Sequence, residues 1–266
     1  MPYGIGMARR YDSTMYTVSV VSSELTYDIH VQPPDPFYRR HSAEKKMEKV
    51  STSGVLQGIK HVELVEEGFD SVSRMLLDFV VGHDIDLIVL GMHGCGGIRK
   101  LVVGSVAEEI VNSAPCPVLT VGPHVPPKST SELELQRILC ATTLQPSSAK
   151  TLAYALALAA DEHAHLILLH VLSADHPSQD REAEKDLAMK QVLQLIPPET
   201  SPSARLQPIV AIGAPAEHIP KVAEDVRADL IVIGPPGTFH PRISAHLPWA
   251  LLHQVLSHAR CPVLRV

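Results

Sequence analysis

The chain carries the same strand pattern twice, and that repetition limits its fold more than any other feature. DLIVLG at 86–91 recurs as DLIVIG at 229–234, each followed by two residues and a glycine, and SAPCPVLTV at 113–121 recurs as HARCPVLRV at 258–266. Self-similarity of this kind means two copies of one structural unit. The first of these stretches, 86–122, reads as a buried strand, a glycine-rich loop, a helix opened by Gly104-Ser105 and a second buried strand ending at Val121. Such a strand–helix–strand alternation implies a parallel sheet covered on both faces, because only a crossover can return the chain in the same direction.

The rest of the chain supports the alternation. MYTVSVVS at 15–22 is a β-branched apolar run and reads as a strand. Prolines at 33, 34 and 36 make 31–40 a loop, 42–56 suits a polar surface helix, and 60–65 reads as a strand. Val72, Met75, Leu76, Phe79 and Val80 recur at the spacing of an amphipathic helix over 70–81. After Gly122, PHVPPKSTSELELQ lacks periodicity and reads as a linker. Strands at 137–141, 166–171, 207–211 and 230–233, with helices at 147–161, 180–195 and 215–226, complete the second copy. The expected division is a first domain at 1–123, a linker at 124–135 and a second domain at 136–266.

Composition excludes several classes. With 23 basic against 29 acidic side chains and a net charge of −6, the chain lacks the electrostatic footprint of a general nucleic-acid binder. The most apolar window, 151–160, is broken by Asp161 and Glu162, short of the roughly 20 residues a membrane span needs. The N-terminus has no long apolar run, and Cys95, Cys116, Cys140 and Cys261 are scattered without a C-x-x-C pair. The expectation is a cytoplasmic protein with reduced thiols and no membrane partner.

The loop after Gly91 is the candidate site. A strand feeding a helix through glycines commonly holds an anionic group, because the first amides of the helix are free and its dipole is positive there. Ser105 can cap that helix, with Glu108 three residues on completing a capping box. Arg99 and Lys100 could screen phosphate charge or form an ordinary solvated pair.

GMHGCGGIRKLVVGS fits G-x2-G-x9-G-S, with Gly91, Gly94, Gly104 and Ser105 in register, and VAEEIVNSAPCPVLTV continues it. The chain thereby resembles the universal stress protein family, in tandem, over nearly its whole length. The resemblance implies two domains of the adenine nucleotide alpha hydrolase-like α/β fold, each a parallel sheet flanked by helices, paired through their last strands at 117–121 and 262–266. It implies ATP across the strand ends, possible with magnesium. Gly91 and Gly94 would then let the backbone approach ribose and phosphate, and Gly104 with the amides of Ser105 and Val106 would hold phosphates. Met92 and His93 complete the candidate set.

The departures matter as much. Family domains open with a strand ending in an aspartate that resembles an adenosine ligand, followed by a long helix. In the first copy both are missing, MARRYDS at 7–13 looking like the tail of that helix. The absent strand would be central in the family's sheet, so either the first copy is a rebuilt four-stranded version or the chain starts downstream of the true N-terminus. In the second copy the opening strand is present as ILCATTL, but Thr143 stands at the aspartate position and Leu247-Pro248 replace Gly-Ser, although Gly234 and Gly237 survive. Proline has no N–H to offer a phosphate.

Other constellations carry less. His163 and His165 would share one side of a strand and, with His170, invite a metal reading, but no cysteine or carboxylate cluster accompanies them. His253 and His258 lie five apart on a helix, which does not stack them. No nucleophile elbow occurs, and Cys95 is a redox thiol or an inert small residue. Three functions compete: a nucleotide sensor in which ATP orders the loop and changes how a partner is held, a nucleotide-independent scaffold or pseudo-dimer that could pair into homodimers, and a slow ATP hydrolase for which no general base can be named.

Overall fold

The computed structural model describes residues 2–22, 36–51, 54–92, 104–126, 133–173, 180–196, 205–234 and 247–266. Two compact units divide the chain, one of Met1–Ile85, Ser113–Pro115 and Pro127–Leu133, the other of Asp86–Asn112, Cys116–Pro126 and Glu134–Val266.

The first unit holds α1 (Pro2–Arg10), β1 (Met15–Ser22), α2 (Pro36–Ser51), β2 (His61–Gly68) and α3 (Val72–Gly82). β1 and β2 pair in parallel from Met15↔His61 to Ser22↔Gly68, with α2 in the crossover between them. A two-stranded sheet has little stability of its own. Here it is held by α1, α2 and α3, all of which pack on β1. Tyr3, Ile5 and Ala8 of α1 and Phe79 and Val80 of α3 are buried. Ser71 caps α3, its hydroxyl accepting from the Arg74 amide.

Two expectations need correction here. Residues 36–40 are helical rather than loop: α2 opens on Pro36, where a proline's missing N–H costs nothing and its fixed φ suits the first turn. The helix expected to survive only as a tail at 7–13 instead spans Pro2–Arg10 and ends before the turn at Tyr11-Asp12.

The second unit contains β3 (Ile88–Gly91), α4 (Ser105–Ser113), β4 (Val118–Val121), β5 (Arg137–Thr142), α5 (Ala149–Asp161), β6 (His165–Leu172), α6 (Arg181–Gln194), β7 (Leu206–Ile212), α7 (Pro215–Asp225), β8 (Leu230–Ile233), α8 (Leu247–His258) and β9 (Val263–Arg265). Seven strands lie in the order β3-β4-β9-β8-β5-β6-β7. Every neighbouring pair is parallel except β4 and β9, which run antiparallel with Val118 opposite Arg265 and Thr120 opposite Val263. That antiparallel seam joins the last strands of the two copies. Val118, Leu119, Thr120, Val263 and Leu264 are all buried, so the seam is part of the core.

The second copy is complete because β5 sits centrally, bonded to β6 on one side and β8 on the other. The central strands of a sheet covered on both faces are apolar throughout, and 138–142 and 230–233 are buried at every position. Among the described residues the strands of the first copy pair as β1 with β2 in one sheet and β3 with β4 in the other.

Candidate functional site

The carboxyl ends of the strands are where a doubly wound sheet receives ligands, at the point where strand order reverses. In the second copy that point lies between β5 and β8. The Thr142 hydroxyl donates to Ser148 Oγ at 3.1 Å, and Ser148 Oγ donates to the Gln145 carbonyl at 2.7 Å. His170 Nδ1 donates to the Thr142 carbonyl at 2.9 Å, and burial pushes the His170 pKa below its usual value, which keeps the ring neutral. Thr143 Oγ1 accepts from the Gln145 amide at 3.4 Å. The hydroxyls at the end of β5 thus serve the β5–α5 turn. Leu247 and Pro248 open α8, so the second helical position has no N–H to donate.

In the first copy β3 ends at Gly91 and α4 starts at Ser105, and the helix start is exposed. Glu108 N donates to the Gly104 carbonyl at 3.0 Å. Gly104 is therefore the capping position and Ser105 the first helical residue, which corrects the expected capping box: Ser105 stands one place too late to cap. The amides of Ser105, Val106 and Ala107 have no acceptor within the helix, as in any first turn.

Among the described residues, a Cβ on Gly91 or on Gly104 would meet no atom within 4 Å, and neither backbone has the positive φ that favours glycine. Other glycines differ. A Cβ on Gly122 would lie 2.5 Å from the Leu256 carbonyl oxygen, and Gly213, at φ 147°, would collide with the His218 ring. Packing or backbone geometry explains those two glycines and leaves 91 and 104 unexplained. Met92, next to Gly91, is buried, and its amide donates to the Val121 carbonyl at 3.2 Å, tying the strand end to β4. His93 and Gly94, like Cys95, Arg99 and Lys100, lie outside the described residues, as does Gly237.

The histidines do not converge. His163 sits in the turn before β6 at φ 52° rather than on the strand face with His165. Arg205 donates to His165 Nε2 at 2.8 Å, and His258 Nδ1 donates to the Gln254 carbonyl at 2.8 Å. Among the described residues, no three His, Cys, Asp or Glu side chains group as metal ligands. Cys116, Cys140 and Cys261 take part in no disulfide among the described residues. Burial raises the pKa of Cys116 and pushes that of Cys140 up to about 12, so neither is a ready thiolate. A concavity of about 390 Å³ lies at the amino ends of β8 and β9 beside Glu224, Arg227 and Arg260.

One polar contact was not anticipated. Asp229, the residue before β8, accepts the backbone amides of Gln136 and Arg137 on Oδ2 at 3.0 and 3.1 Å and so fastens the start of β5. The signal was present in the repeat, since both copies of the DLIV string begin with aspartate.

A sequence profile of the universal stress protein family matches residues 3–122 and 134–266. The chain belongs to the universal stress protein family. A Staphylococcus aureus (strain USA300) protein named as a universal stress protein is 33% identical over 121 residues, which cover 44% of this chain and 71% of that protein. Among solved structures, a universal stress protein from Archaeoglobus fulgidus aligns with a TM-score of 0.68 at 16% identity, covering 99% of this chain and 89% of the other. One from Pseudomonas aeruginosa UCBPP-PA14, described as of the same family, aligns with a TM-score of 0.59 at 12% identity, covering 95% and 92%. At those identities the likeness concerns the fold, and it supports two tandem universal stress protein domains. Among the described residues no helix is long and apolar enough to cross a membrane.

Proposed function

We propose that this universal stress protein is a cytoplasmic, stress-responsive regulatory module that binds an adenine nucleotide in its first copy. The observation that carries this reading is the pair Gly91 and Gly104, at the end of β3 and the start of α4, whose missing side chains would meet no described atom within 4 Å. A site that receives backbone-close phosphates needs such vacancies, and first-turn amides are the donors that a phosphate takes. Gly91, Met92, His93, Gly94, Gly104, Ser105 and Val106 would hold ATP with magnesium. The placement of Ser105 inside the helix helps, because its hydroxyl is not used as the cap. The bound nucleotide then changes how a protein partner is held. We place the working division at 1–123 and 136–266, joined by 124–135.

A second reading has its own support: among the described residues β3 pairs with β4 alone, whereas β8 pairs with both β5 and β9. On that reading the chain is a scaffold whose two copies pair internally and which binds no nucleotide. Isothermal titration of the folded chain with ATP and magnesium separates the two. Saturable heat at one site per chain supports the nucleotide reading, and no heat supports the scaffold. No residue constellation for hydrolysis recommends a metabolic enzyme.

A further inference from the structure

The face that β2 turns to α3 carries a carboxylate where the second copy has an alanine. A Cβ on Gly68, the last residue of β2, would lie 2.8 Å from the Met75 side chain of α3. Strand residues alternate between faces, so Glu66, two residues earlier, faces α3 as well. The second copy repeats this contact, a Cβ on Gly213 meeting the His218 ring of α7. Aligned on that contact and on the two DLIV strings, Glu66 corresponds to Ala211, Asp78 to Lys221, Phe79 to Val222, Gly82 to Asp225 and His83 to Val226. One copy is therefore built without these two carboxylates and without the aromatic pair, so the fold does not require them.

Together they shape a concavity. Glu66, Met75, Asp78, Phe79, Gly82 and His83 line about 250 Å³ between β2 and α3, all within the first unit. Glu66 is half-buried and Asp78 exposed, and among the described residues neither carboxylate has an ion pair or a hydrogen bond. Glu67, on the opposite face of β2, pairs with Arg40 at 3.4 Å, and Arg74, one turn before Asp78, is exposed. His83 Nδ1 donates to the Phe79 carbonyl at 3.0 Å, which leaves Nε2 to accept. The His83 ring stacks on Phe79 with centroids 3.9 Å apart, and Tyr16 of β1 meets both rings edge-on, so this wall is held in place. A Cβ on Gly82 would meet no described atom within 4 Å, and its backbone lacks the positive φ that favours glycine.

We propose that this groove binds a primary ammonium group, carried by a small amine or by a lysine side chain. An ammonium presents three N–H donors and no acceptor, which matches two carboxylates and a ring nitrogen that accepts. Bonds from an ammonium to carboxylates are charge-assisted, and the half-buried Glu66 gains the countercharge it lacks. The methylenes next to the nitrogen would lie against Met75 and Phe79, a polarisable thioether and an apolar ring. A metal ion fits less well, since among the described residues no three His, Cys, Asp or Glu side chains group as ligands. The two carboxylates repel an anion.

The test uses the full chain without nucleotide, so its outcome is separate from that of the ATP titration. The probe is butylammonium, followed by amide chemical shifts in an NMR titration. Tetramethylammonium serves as a cation without N–H groups, and Nα-acetyl-lysine amide as the side-chain form. The expected result is saturable shifts at the residues lining the groove, with affinity about tenfold weaker for Glu66→Gln and for Asp78→Asn. Gly82→Leu removes no charge and is expected to block the groove with a similar loss. Tighter binding of butylammonium assigns the site to a small amine and tighter binding of the lysine amide to a protein side chain, and both support it. No saturation, shifts confined to other residues, tetramethylammonium binding as tightly as butylammonium, or unchanged affinity in both carboxylate variants would overturn the proposal. Gln and Asn keep the shapes of the side chains they replace, so these variants are expected to fold, and circular dichroism checks that they do.

Discussion

The two copies retain complementary parts of one domain. The first keeps the glycines and the helix start on β3, which among the described residues pairs with β4 alone. The second keeps the central strand, with β5 bonded on both sides, but its loop ends in Leu247-Pro248 and the Thr142 hydroxyl at its strand end donates to Ser148 of the following turn. The difference teaches that a loop and its wall are separable. Glycines at the right spacing are local sequence, whereas a wall requires a strand that pairs with distant partners. Joining the copies through β4 and β9 lets one complete sheet carry the incomplete half of the other.

The sharpest way to break this comparison is to fill the vacancies. Gly104→Val is expected to abolish ATP binding in titration calorimetry while lowering stability by no more than the roughly 1 kcal/mol of a poorer helix cap, because the added side chain meets no described neighbour. The same change at Gly237 is expected to do nothing, and equal losses at both positions would end the one-site reading. Next in size is packing. Ile231 is fully buried in β8, so Ile231→Ala should cost about 2–5 kcal/mol in urea unfolding, and the equivalent Ile88→Ala in half-buried β3 about half as much or less. Equal costs would show that the β3 edge is covered as fully as β8.

The aspartates offer a third comparison. Asp229→Ala removes an acceptor from two strand-start amides and should cost about 1–2 kcal/mol, whereas Asp86→Ala should change the stability of the isolated chain by less than about 0.5 kcal/mol. The smallest effect is one of pH. The His170 pKa is lowered by burial, so below its ordinary value of about 6.5 the unfolded chain takes up a proton that the folded chain refuses. That contribution to stability is present above the ordinary value and is lost as pH falls below it. His170→Gln should therefore flatten the decline in unfolding free energy between about pH 6.5 and 5, and an unchanged slope would mean that other groups carry it.

Much of the fold was legible from residues close together in the chain. β8 read as a buried strand because LIVI is apolar throughout, and α3 because its apolar positions recur at helical spacing. Of the candidate site, Gly91 and Gly104 do lie at a strand end and a helix start, but Ser105 proved to be the first helical residue rather than the cap. That one-place shift is set by which carbonyl accepts the Glu108 amide, and the spacing of residue types does not specify it. Pro36 misled in the same way: a proline breaks a helix from inside but opens one from its first turn.

The sequence by itself determined that there are two copies, that both are α/β with parallel strands, and which copy retains the glycine loop, because self-similarity and short-range periodicity are written along the chain. Only the tertiary structure decided that, among the described residues, β1–β2 and β3–β4 pair in separate sheets, that Asp229 holds the start of β5, and that the Thr142 hydroxyl donates to Ser148. Each of these depends on a hydrogen-bond partner that lies elsewhere in the chain or in an adjacent turn. A backbone amide carries no record of its acceptor until the neighbouring strand is in place.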